Sequence, residues 1–281
     1  MVLESLFNPF AVKRKPWEMF FAGVIYSLIS LFLAYISFRD YSGLILVFLI
    51  VMSAIPLVYT AIKNEEEIDM KIKSEWRILK EHSKVLMFLL YFFVGVVMGL
   101  TVAYVFLPSS MVSEIFSIQT QAMVNVQTNV QGGITLFGLF QAIFVNNLKV
   151  LMFCLVFSFL FGAGAIFILT WNASVVAVAV GALIKSSLAE IAAEAGSVTL
   201  VNYLSVGTFS FFRFMFHGFV EIAAYFIAGI AGSIISIAVI KHNLQDETVL
   251  FDSISLVLLS LGVLLFAALM EVYITPIFFG W

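Results

Sequence analysis

Residues 217–240 read HGFVEIAAYFIAGIAGSIISIAVI. As a helix rising 1.5 Å per residue this stretch covers about 36 Å, more than the roughly 30 Å hydrocarbon core of a bilayer. Its two ionisable residues are His217 and Glu221, and both stand at its start. Four positions apart, they share one helix face. Ionisable side chains within a membrane span are costly, turn toward protein or a wet cavity, and mark functional sites by default.

The rest of the chain agrees with a membrane reading. Of its 281 residues, 63% are hydrophobic and 11% are charged, and the mean hydropathy is +1.12. Soluble domains are about one quarter charged, so this surface cannot be solvated all round. A net charge of −3 is too small to attract nucleic acid. The single Cys154 lies in an apolar run and excludes an internal disulfide. Lys13, Arg14 and Lys15 precede an apolar run of full spanning length without a small-x-small cleavage pattern, so that run reads as a span and not as a cleaved leader.

The fold class expected is all-α: a polytopic bundle of about seven membrane segments, with one amphipathic cytoplasmic helix and one external one. Three blocks follow. Residues 1–62 hold an N-terminal arm and two spans, near 19–36 and 44–62. Residues 63–84 interleave Lys63, Lys71, Lys73, Arg77, Lys80 and Lys84 with acidic residues, and read as a charged amphipathic helix. Residues 85–281 form the membrane core. Its first span, 85–107, contains Gly95 and Gly99 at the spacing that lets helices approach closely. An amphipathic helix over 110–131 follows, ended by Gly132 and Gly133.

Beyond it the sequence predicts interruptions. Residues 134–145 are too short to span, Asn146 and Asn147 break the run, and 150–169 spans, with Gly162 and Gly164 inside it. Trp171 and Asn172 read as a turn. The fifth segment, 173–184, is either re-entrant or continues through Lys185 to Ala193. Arg213 breaks the interfacial stretch 208–216. The sixth span starts at His217, with Gly229 and Gly232 on a packing face. The seventh covers 249–269, carries Glu271 at its end, and is stopped by Pro276.

With the N-terminus inside and seven crossings, ten of the 14 basic residues face the cytoplasm: three in the arm, six in 63–84, and Lys241. The expectation is a multi-pass cell-membrane protein with its C-terminus outside. Counting from the cytoplasmic ends brings Asn146, Asn147, Lys149, Lys185, Glu190, Arg213, His217 and Glu221 toward one outward-opening polar pocket. Broken helices with polar ends build sites of this kind. The alternative is a closed network, with Glu221 paired to Lys185 or Arg213 and His217 bonded to Asn146 or Asn147. His217 and Glu221 are also candidate metal ligands, with Glu190, Glu194 or another acidic group needed as a third. No cofactor is expected. The chain carries no HExxH, GxSxG or phosphate-cradling loop, so the reading is against an enzyme, with a metal-dependent intramembrane hydrolase kept as the third alternative. Small-residue faces around Gly95, Gly99, Gly229 and Gly232 suggest a homo-oligomer such as a dimer.

Asn146-Asn147, the Gly162/Gly164 stretch, Asn172 and above all His217-Gly218-x-x-Glu221 resemble the stage II sporulation protein M family, over about 85–271. The family pattern has Pro before the His, where this chain has Phe216, and Gly where Ala173 stands. These departures are those of a distant or archaeal-type member. The resemblance implies a multi-pass membrane scaffold that gathers external protein partners, in endospore formers a peptidoglycan hydrolase and a second cell-wall protein. A transporter or ion channel using the pocket is the alternative.

Overall fold

A computed structural model describes residues 17–69, 75–131, 135–161, 164–240 and 247–279. The arm with Lys13, Arg14 and Lys15, as well as Gly132, Gly133, Gly162 and Lys241, falls outside them. The described residues are helical throughout and contain no strand. The first span is α1 (Glu18–Ser37). A single turn, Arg39–Tyr41, leads into α2 (Ser42–Asp69), and α3 (Glu75–Phe106) follows. Two helices lie outside the spans, α4 (Ser109–Ile115) and α5 (Ser117–Gln131). Then come α6 (Leu136–Phe161), α7 (Ala165–Ala195) and α8 (Leu200–Ile240). The chain ends with α9 (Glu247–Leu269), a π turn over Met270–Ile274, and α10 (Thr275–Phe279). Seven helices among the described residues are long and apolar enough to cross a membrane.

Three expected helix breaks are absent, for one physical reason. Neither Asn146-Asn147 nor Trp171-Asn172 nor Arg213 interrupts a helix. Each of Asn146, Asn147, Asn172 and Arg213 faces an internal cavity, so its polarity is met sideways and the backbone need not break. The fifth segment is therefore one helix of 31 residues, with no re-entrant half. α6 ends at Phe161 and α7 begins at Ala165, and Gly164 packs against the Phe157 carbonyl at a distance that excludes a Cβ. The helix of His217 begins 17 residues earlier than expected, at Leu200. Pro276 does not stop the last helix; the i→i+5 turn before it absorbs the missing donor, with the Thr275 N–H reaching the Met270 carbonyl. The charged stretch 63–84 is likewise no helix of its own where it is described. Residues 63–69 continue α2 and 75–84 open α3, since 63–84 holds no Gly or Pro to end a helix at the bilayer edge.

Inside a bilayer the lipid is as apolar as leucine, so helices associate through close packing. The glycines supply it within this chain. On α3, Gly95 lies against the Phe20 carbonyl of α1, opposite Gly23, while Gly99 meets Val24 and Ser27. Gly232 of α8 sits on the Leu155 carbonyl of α6, and Gly229 on Ala165 and Ser158. The faces expected to join two copies are thus filled by this chain's own helices. One buried cluster joins Met19, Leu46, Phe92, Leu100, Leu151 and Tyr225, so α1 and α2 share a core with the later helices. The opposite faces expose Phe32, Phe48, Phe137, Leu160, Phe251 and Leu258, as a lipid-facing surface requires.

At one end of the bundle, Arg39 grips Glu114 with both donors, at 2.6 and 2.9 Å. Gln119 of α5 donates to the Gly43 carbonyl at 2.9 Å. These bonds tie α4 and α5 to the α1–α2 turn. The bond from the Arg39 guanidinium, and then its charge, hold the Glu114 carboxyl below the usual carboxylate range. The ring stack of Phe106 on Tyr203 and the edge contact of Phe209 with Phe279 place the end of α3, the start of α8 and α10 at this same end.

Candidate functional site

A cavity of about 590 Å³ lies between α5, α6, α7, α8 and the π turn. Its longest wall is α7. Asn172, Val175, Val176, Ala179, Ala182, Leu183 and Ser186 all line it. Three- and four-residue steps put them on one helix face, and from first to last they span about 21 Å. Small side chains at 179 and 182 keep that wall open. α6 contributes Ile143, Asn146 and Asn147, and α5 contributes Met123. α8 contributes Arg213, Phe214, His217 and Glu221, three- and four-residue steps again, and the π turn adds Glu271.

The polar centre is His217, Glu221 and Glu271, which each offer one ligand-type atom, all within 4.8 Å of one another. Asn147 is 8% exposed and donates from Nδ2 to Glu221 Oε1 at 2.6 Å. Asn146 Nδ2 donates to Asn147 Oδ1 at 3.3 Å. His217 Nε2 stands 3.8 Å from Glu271 Oε1, and His217 Nδ1 stands 3.2 Å from Thr275 Oγ1. The Thr275 hydroxyl donates to the Met270 carbonyl at 3.1 Å. Which partner donates between Thr275 and His217 follows from the imidazole tautomer; Nε2 faces the Glu271 carboxyl.

Asn146, Asn147, Arg213, His217 and Glu221 thus line one cavity, whereas Lys149, Lys185 and Glu190 do not. Lys149 and Glu190 are exposed. Lys185 caps the Leu107 carbonyl at 3.5 Å and lies over the Tyr104 ring at 5.3 Å. The partner of Glu221 is Asn147 in place of Lys185 or Arg213, and the partners of His217 are Thr275 and Glu271 in place of the asparagines. Asn147 stands 11 residues after Leu136 and 14 before Phe161, about 17 and 21 Å along α6, so the cluster sits near the middle of that helix.

Glu271, Asn172 and Thr275 are the site residues that sequence reasoning missed. Glu271 had a signal, a carboxylate closing an apolar run; Asn172 was absorbed by a turn that does not exist. Thr275 had none, because its place depends on the π turn.

The family model described as stage II sporulation protein M matches residues 86–276. That range holds every residue of the polar centre and leaves out α1 and α2. No curated protein and no solved structure matches the chain.

Proposed function

The chain belongs to the stage II sporulation protein M family and is a multi-pass membrane protein; from that premise we propose that its cavity is a binding site from which a small polar or ionic solute is passed across the membrane. One observation carries the reading. Three ionisable side chains, His217, Glu221 and Glu271, face one space along a wall of about 21 Å on α7. A closed structural network would fill that space with partners. A volume of about 590 Å³ lies within the range of small-ligand sites. Charged groups at membrane depth mark solute and proton paths for the same reason that they are rare elsewhere.

Vesicles reconstituted with the full chain and loaded with pH- and cation-sensitive dyes test this. Wild-type vesicles are expected to conduct, and Glu221→Gln to slow the flux at least about tenfold, as for the loss of one strong contact of about 1.4 kcal/mol. Vesicles as tight as protein-free ones to protons, monovalent and divalent cations and small organic anions sink the reading.

The scaffold function implied by the family resemblance has one feature in its favour. α4 and α5 stand outside the spans, are pinned by Arg39 and Gln119, and expose Gln121 and Asn125. Inert vesicles, together with a cross-linked external protein lost in Gln121→Arg/Asn125→Arg, would favour it over transport.

A further inference from the structure

We infer that His217, Glu221 and Glu271 bind a divalent first-row transition-metal ion of the zinc class, with Asn147 and Thr275 as positioning residues. The inference rests on the cavity being the working site, and it names what that site holds.

The donor set comes first. One imidazole nitrogen and two carboxylates suit zinc, manganese or iron(II), and lack the soft thiolates that copper(I) prefers. Their atoms lie within 4.8 Å of one another. Tetrahedral zinc with ligands at about 2.0–2.2 Å holds its donors about 3.4 Å apart. Closing on an ion therefore takes side-chain shifts on the order of an ångström, within the reach of two glutamates.

The orientation of the imidazole is the second observation. Thr275 Oγ1 lies 3.2 Å from His217 Nδ1, which turns Nε2 toward Glu271 Oε1, 3.8 Å away. With the hydrogen on Nδ1 this is the arrangement of a metal-bound histidine, its far N–H given to a hydrogen-bond acceptor and Nε2 free for the ion. Asn147 does the corresponding work for Glu221, fixing one oxygen at 2.6 Å. Charge agrees with the ion bound: a neutral imidazole and two ionised carboxylates balance a dication. The cavity beyond leaves a coordination position open to water or solute, which separates working zinc sites from structural ones.

The test uses the full chain in detergent, stripped with chelator, loaded with Zn²⁺ alone and desalted. The expected result is about one ion per chain, with X-ray absorption showing only nitrogen and oxygen at about 2.0–2.2 Å and a single imidazole. Glu271→Gln and His217→Ala should lose retention, and Thr275→Val should weaken it about 10–100-fold, the usual cost of an orienting partner. No retained zinc, a sulfur ligand from Cys154, two or more imidazoles, or retention unchanged in Glu271→Gln overturns the proposal. The absorption spectrum of the wild type decides even where a variant fails to fold. Retained zinc without flux leaves the metal site standing and removes the transport reading; flux without retained zinc does the reverse.

Discussion

Asn147 shows how much one side chain holds in place. It is buried, its amide meets Glu221 at 2.6 Å, and its carbonyl oxygen accepts from Asn146. Asn147→Ala deletes the donor and strands the carboxyl, at a cost of about 1–3 kcal/mol. A lower unfolding temperature in detergent, with Asn146→Ala costing less, checks this. The polar residues were legible in the sequence as functional candidates, because amides and charges in apolar runs stand out. Their direction was not. Asn146, Asn147, Asn172 and Arg213 read as helix breaks, since spacing alone cannot tell a residue that ends a helix from one that faces a cavity. Lys185 erred in the opposite sense. It looked like a partner for Glu221 but finds the Leu107 carbonyl and the Tyr104 ring.

Among the elements, the α1–α3 crossing depends on glycine. A Cβ at Gly95 would strike the Phe20 backbone carbonyl, whereas one at Gly262 meets nothing within 4 Å. Gly95→Leu should therefore cost about 1–3 kcal/mol through overpacking. Gly262→Leu should be neutral or slightly stabilising, because leucine is the better helix former. Parallel thermal melts in detergent compare the two. The clamp between the α1–α2 turn and α4 has a pH signature. Arg39 lowers the folded-state pKa of Glu114, so the bond contributes stability above the ordinary carboxylate range and loses it as pH falls through the folded value. The melting difference between wild type and Glu114→Gln should be largest at neutral pH and vanish in acid; a difference that grows in acid would contradict the clamp. Helix class and the span count were legible from apolar run lengths. The end of α6 at Phe161 was not, because the apolar run continues through Gly162-Ala163-Gly164 without a polar signal.

For the molecule as a whole, seven crossings would put residues 8 and 280 on opposite faces, and the bias of Lys and Arg predicts that residue 8 is the cytoplasmic one. Cys154 is fully buried, so an introduced cysteine can be labelled against a silent background. An impermeant maleimide should label Gly280→Cys on intact cells and Asn8→Cys only after permeabilisation. Labelling of both on intact cells contradicts an odd number of crossings.

The 41 residues of α8 make a rod about 61 Å long, twice the core thickness. His217 and Glu221 sit near its middle, wedged between α6 and the π turn. The polar centre thus lies far from both ends of this helix. Leu200 lies 17 residues from His217, about 26 Å away. Leu200, Val201 and Leu204 are exposed there, so one continuous helix links the polar centre to an apolar patch beyond the cavity.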